Sequence, residues 1–81
     1  MITEKNLINL GFLKVEEHGE NYYYYERQFG LHYSNLTLMS EANDEIEGDD
    51  WRIYFYQVQG IEIDNMTDLV NLIDILERNS K

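Results

Sequence analysis

Residues 51–58, WRIYFYQV, alternate between two kinds of side chain. On an extended chain Trp51, Ile53 and Phe55 point one way and Arg52, Tyr54 and Tyr56 the other, because successive strand residues face opposite sides. Such a strand needs neighbours for its main chain and a cover for its apolar side. The segment NMTDLVNLIDILERNSK, residues 65–81, offers the cover. Its Leu69, Leu72, Ile73 and Leu76 recur at i, i+3, i+4 and i+7, which is one face of an amphipathic helix. Asn65 with Asp68 three residues on suits the helix start, with Asp64 and Thr67 as alternative caps, and Arg78 and Lys81 suit the negative C-terminal end.

The rest of the chain divides in the same terms. TEKNLINLG (3–11) predicts a short helix capped by Thr3, with Glu4 at the positive end of its dipole and Leu7, Ile8 and Leu10 as its apolar face. Gly11 fits a left-handed helix exit and Phe12 the apolar contact after it. FLKVEEH (12–18) predicts a strand with Leu13 and Val15 on one face, and HGEN (18–21) the first hairpin turn. A second strand covers about 22–29, where NYYYYER carries four consecutive tyrosines, and Gly30 ends it. LHYSNLTLM (31–39) predicts a third strand with Leu36 and Leu38 on one face and Asn35, Thr37 and Met39 on the other. SEANDEIEGDD (40–50) is a loop. After the strand at 51–58, Gly60 turns the chain into IEID (61–64), a short strand with Ile61 and Ile63 inward and Glu62 outward.

Helix, four or five strands joined by short turns, then helix: this order predicts an α+β fold, an antiparallel meander with the N-terminal and C-terminal helices packed on one face. At 81 residues the chain holds a single domain, 1–81, near the size where one core becomes marginal. It contains no cysteine, so disulfides, thiolate nucleophiles and zinc–sulfur sites are excluded. The start MITEKNLINLGF lacks the basic-then-apolar order of a signal peptide, and no apolar run reaches membrane length. The expected location is a reducing cytoplasm.

Charge is the other strong signal. The formal net charge is −10, from 16 acids and 6 bases. Glu41, Asp44, Glu45, Glu47, Asp49 and Asp50 lie together in residues 41–50, which hold no base. An anionic field of this kind repels phosphate backbones and anionic lipid and attracts basic surfaces. Direct nucleic-acid binding is therefore not expected, although the tyrosine run invites a base-stacking reading, because stacking platforms pair their aromatics with a positive groove.

Tests for chemistry come out negative. Set against a helix–loop–helix calcium loop, Asn43, Glu45 and Glu47 fall at the first, third and fifth positions and Gly48 at the sixth. The twelfth position, which needs a bidentate glutamate, is Tyr54, and the flanks are strands. No metal site is expected. His18 and His32 have no cysteine nearby to complete a site. Ser34, Ser40 and Ser80 lack a nucleophile motif. The sequons at Asn35 and Asn65 are chance matches in a chain without a secretory signal. Neither a cofactor nor an enzymatic activity is expected.

The tyrosines have two readings. On the side of the sheet away from the helices, one pair from Tyr22–Tyr25 joins Tyr54 and Tyr56, with Arg52 among them. Cross-strand aromatic pairs there stabilise a sheet by about 0.2–1 kcal/mol each. Tyrosine also gives the rigid amphipathic area that suits protein interfaces. The candidate partner-binding residues are accordingly Asp44, Glu45, Glu47, Asp49 and Asp50 on the loop, with Tyr54, Tyr56 and Arg52 on the sheet.

The strings LGF, YYYYE, LTLMSEANDE, WRIYFYQ and LVNLIDILERN resemble small acidic uncharacterised proteins of Bacteroidetes-type phages and prophages. That resemblance spans nearly the whole chain and carries no active-site motif. Together with the charge it implies an inhibitor, anti-CRISPR-like, that occupies a basic nucleic-acid-binding surface of a host defence protein. The alternative is a structural or assembly module, a homodimer through the tyrosine-bearing sheet face.

Overall fold

The computed structural model describes residues 1–17 and 21–80. Five strands lie in chain order in one antiparallel sheet: β1 (Leu13–Glu16), β2 (Tyr23–Gly30), β3 (Asn35–Ser40), β4 (Ile53–Phe55) and β5 (Glu62–Ile63). Helix α1 (Glu4–Asn9) precedes the sheet and α2 (Met66–Arg78) follows it. This is the expected α+β meander. The turn expected at 18–21 falls largely outside the described residues, as do His18 and Lys81.

Both helices begin and end where their side chains allow. At α1 the Asn6 amide donates to Thr3 Oγ1 at 3.1 Å while the Thr3 amide donates to Asn6 Oδ1 at 2.9 Å, a reciprocal cap. The helix leaves through Gly11 at φ +86°, a backbone that a Cβ would strain. Gly11 then donates to Ile8 O at 3.1 Å and Phe12 to Leu7 O at 3.0 Å, a Schellman closure that turns Phe12 into the core. At α2 Asn65 is the cap: its Oδ1 accepts from the Asp68 amide at 2.8 Å, and its Nδ2 donates to Asp68 Oδ2 at 2.9 Å.

Strand register sets the two faces, since paired residues share a side. Tyr25, Phe29, Leu38, Ile53 and Ile63 lie on the covered face, in one core with Leu7 of α1 and Leu69, Ile73 and Leu76 of α2. Both helices therefore pack on the same side. Trp51, Ile2 and Phe12 complete the cluster, while Leu36, Phe55 and Leu72 border it half-buried. The other face carries Leu13 and Val15 of β1, Tyr24, Glu26 and Gln28 of β2, Thr37 and Met39 of β3, Tyr54 and Glu62. No described helix is long and apolar enough to cross a membrane.

Leu13 and Val15 share a face as expected, and it is the uncovered one; Leu13 stays 71% exposed. Three local expectations are corrected. Leu31–Ser34 is a hairpin turn rather than the start of β3, closed by Leu31 N donating to Ser34 O at 2.9 Å. The strand expected over 51–58 is confined to Ile53–Phe55. Ile61 is 46% exposed rather than inward, because pairing starts at Glu62 and only Ile63, opposite Ile53, reaches the core.

Leu69 is fully buried and its neighbour Val70 faces solvent. Leu69→Ala should destabilise by about 2–5 kcal/mol, and Val70→Ala by no more than about 0.5 kcal/mol. Urea unfolding followed by Trp51 fluorescence measures both. Equal midpoints for the two variants would contradict the packing of α2.

Candidate functional site

Past the last β2–β3 rung, Glu26 opposite Met39, side chains replace the main-chain ladder. The Tyr25 amide donates to Ser40 Oγ at 2.9 Å, and Ser40 Oγ donates to Glu41 O at 2.7 Å. The Tyr23 amide donates to Asn43 Oδ1 at 2.9 Å, while Asn43 Nδ2 returns to Asn21 O at 3.1 Å. Two small polar residues thus splay β3 from β2 and lead the chain into the acidic segment. A 3-10 turn, Asn43–Glu45, begins it, with Ala42 buried and Ile46 half-buried against the core. Gly48, at φ +65°, lets residues 47–50 reverse direction tightly.

The acidic run separates into two groups. Asp44, Glu45 and Glu47 are exposed and have no hydrogen bond from their carboxylates to a described residue. Asp49 and Asp50 are tied into the fold. Oδ1 of Asp49 accepts from the Glu4 amide at 3.0 Å and from Trp51 Nε1 at 2.8 Å. Asp50 Oδ1 accepts from the Ile2 amide at 3.4 Å, and Trp51 N donates to Ile2 O at 2.7 Å. Asp49 and Asp50, grouped with the other loop acids as candidate partner-binding residues, thus also hold the N-terminal segment. Charges at the positive end of α1 are well placed there.

The tyrosine run also resolves. Tyr23 and Tyr25 lie on the covered side, where Tyr25 packs edge-on to Trp51 at 5.3 Å between ring centroids and Tyr23 stacks on it at 6.1 Å. Lys14 Nζ sits 4.0 Å over the Tyr23 ring. The Tyr25 hydroxyl donates to Glu4 Oε2. Burial, with that bond to Glu4, pushes the Tyr25 hydroxyl pKa well up. Tyr24 lies on the uncovered face and donates to Glu17 Oε1 at 3.3 Å. Its pKa is raised by burial and then by the Glu17 charge.

Three features meet on that face. Glu41, Glu45, Glu47 and Asp50 surround a concavity of about 330 Å³ at whose edge Arg52 stands. Desolvation, then the Glu45 charge, holds the Glu41 carboxyl above the usual glutamate range, and Arg52 offsets part of this. Arg52 Nη1 pairs with Glu62 Oε1 at 3.2 Å, and the Tyr54 hydroxyl donates to the same oxygen at 2.9 Å. Burial, then this bond, pushes Tyr54 up to about 12. A second groove adjoins the first and shares Glu41 and Glu45 with it; Tyr22, Tyr24, Met39 and Tyr56 line it. Ligand pockets for small molecules are mostly apolar. A concavity walled by four carboxylates suits cations instead.

Among the predicted residues, Glu45, Glu47 and Asp50 surround this concavity with Arg52, Asp44 stands beside Glu45 on the 3-10 turn, Tyr56 lines the adjoining groove, and Tyr54 shares Glu62 with Arg52; Asp49 turns toward α1. Glu41 belongs to the acidic run read from the sequence but not to the expected partner-binding set, and Glu62 and Met39 are additions. One pair from Tyr22–Tyr25 was expected on this face, and the register selects Tyr22 and Tyr24. No group of three or more metal-ligating side chains suited to an ion occurs among the described residues.

Removing Asp49 leaves an indole N–H and a helix amide unpaired. Asp49→Ala should therefore destabilise by about 1–3 kcal/mol, whereas Asp44→Ala should stay within about 0.5 kcal/mol of the parent. Chemical denaturation tests both, and parity of the two variants would refute a structural role for Asp49. A raised folded-state pKa stabilises below the unfolded value, so the contributions of Tyr25 and Tyr54 are complete below about pH 10 and decline as pH rises further. Ultraviolet titration should show fewer tyrosinates in the native than in the urea-unfolded protein above that pH, and Tyr25→Phe should shrink the difference. Searches against protein families, curated proteins and solved structures find no match.

Proposed function

We propose that this protein is an acidic protein-binding module that occupies a basic, nucleic-acid-binding surface of a partner protein and so inhibits it. Under this reading the protein acts by occupancy and carries out no reaction of its own. The carrying observation is the clustering of Glu41, Glu45, Glu47 and Asp50 around one concavity, beside a tyrosine-bearing sheet face. Among the described residues the only base lining that concavity, Arg52, is already paired with Glu62. Carboxylates held on a pinned turn repeat the charge, though not the chemistry, of a phosphate backbone and steer a basic surface toward them.

The resemblance to phage and prophage proteins points the same way and makes host defence enzymes, reached in the host cytoplasm, the expected partner class. The assembly reading, a second copy docked face to face, has the exposed Leu13 and Tyr56 in its favour. It would also bring the carboxylates of Glu26 and Glu62 from two copies into one interface, which like-charge repulsion opposes.

Neutralising Asp44, Glu45 and Glu47 to Asn, Gln and Gln tests the reading. Those three side chains lack described hydrogen-bond partners, so the fold should keep its stability. Parent and variant should be used as bait in host lysate at low and high salt. Proteins retained by the parent should be lost from the variant, weaken with salt and elute on adding nucleic acid. Retention that ignores both the charge change and nucleic acid would overturn the proposal.

A further inference from the structure

Two halves of the uncovered sheet face are built alike but filled differently. On the β4–β5 side a guanidinium is present: Arg52, held by Glu62, whose Oε1 also accepts from the Tyr54 hydroxyl. On the β2–β3 side Tyr22, Tyr24 and Tyr56 stand around Met39 with Glu41 and Glu45 beside them. Among the described residues no lysine or arginine lines that groove. Lys14, the base of β1, points to the opposite face, where it covers Tyr23.

From this we infer that the Tyr22–Tyr24–Tyr56 groove receives an arginine side chain presented by the partner protein. The inference rests on the proposed function and gives it a specific contact. Arginine fits better than lysine for a physical reason. A planar guanidinium can lie against a tyrosine ring while its N–H fork reaches carboxylates, whereas an ammonium is a compact, strongly hydrated point charge. Glu17, Glu41 and Glu45 line the same groove as the rings, so one groove offers both kinds of contact. The groove shares Glu41 and Glu45 with the acidic concavity, so a basic partner drawn by the wider field arrives beside the rings. A second copy of this chain is a poor occupant, because its matching face brings more carboxylates and an arginine already engaged.

A blocked Gly-Arg-Gly-Arg-Gly peptide and its citrulline counterpart make suitable probes, titrated into isotope-labelled protein at low ionic strength. The arginine peptide should shift the amide signals of Tyr22, Tyr24, Met39 and Tyr56. Citrulline, equal in shape but uncharged, should bind about tenfold or more weakly, as expected for losing a charged hydrogen-bonding group. Tyr24→Leu and Tyr56→Leu should each weaken binding by about two- to fivefold, and Glu41→Gln by roughly as much. Dispersed spectra of the variants would establish that they are folded.

Shifts confined to Asp44 and Glu47 with silent tyrosines would overturn the groove and leave the acidic module standing. Groove shifts that persist in the Asp44→Asn, Glu47→Gln variant would support the groove even if lysate capture fails. Equal binding of the citrulline peptide, absence of shifts, or groove shifts that track protein concentration without peptide would each overturn it, the last in favour of self-association.

Discussion

Oδ1 of Asp49 accepts from the first turn of α1 and from the indole of Trp51 at the same time, and much of the molecule is arranged around that oxygen. It fixes the N-terminal segment against the loop that leads into β4. Ile2 is thereby buried, Leu7 meets Leu69 in one core, and Trp51 is held where Tyr23 and Tyr25 can pack on it. The same bond keeps the acidic segment from swinging away. Its exposed members, Asp44, Glu45 and Glu47, owe their fixed position to the pinned members beside them. Structure and display are thus divided within one run of like charges.

Coverage is the second constraint. A helix of six residues and one of thirteen supply enough apolar surface for one side of a five-stranded sheet. The other side must meet water or a partner. Its composition shows the compromise: tyrosine, methionine and valine keep strand geometry favourable, while Glu26, Glu41 and Glu62 keep the face soluble. On the proposed reading, an aromatic surface ringed by carboxylates is suited to a basic partner. The splay after Met39, held by Ser40 and Asn43, turns what would be a flat face into grooves.

Much of this was readable from residue order. Alternation in WRIYFY assigned Trp51, Ile53 and Phe55 to one side, and the i, i+3, i+4, i+7 spacing placed Leu69, Ile73 and Leu76 in the core. Thr3, Gly11 and Asn65 declared helix ends through chemistry local to them. What escaped depends on contacts between distant positions. Nothing near Asp49 in the chain marks it as an acceptor for α1, and nothing near Leu13 says that its face lacks a cover. Ser40 reads as an ordinary strand end until the Tyr25 amide turns out to need it. Local rules therefore identified the sheet and its cover, and long-range hydrogen bonds decided which acids remained free for display.

The bonds that join residues 2–4 to residues 49–51 also bear on how the chain is made. Loop-closure entropy grows with the number of residues enclosed, and the Ile2–Asp50 bond spans 48 positions while the β2–β3 hairpin closes over Leu31–Ser34. A six-residue helix is too short to persist alone in water. During synthesis α1 leaves the ribosome ahead of the sheet, yet Asp49, which binds its first turn, and Trp51, which binds Asp49, emerge only after β1, β2 and β3. The bonds from the N-terminal strap to residues 49–51 therefore close over a meander whose β2–β3 hairpin can already be formed.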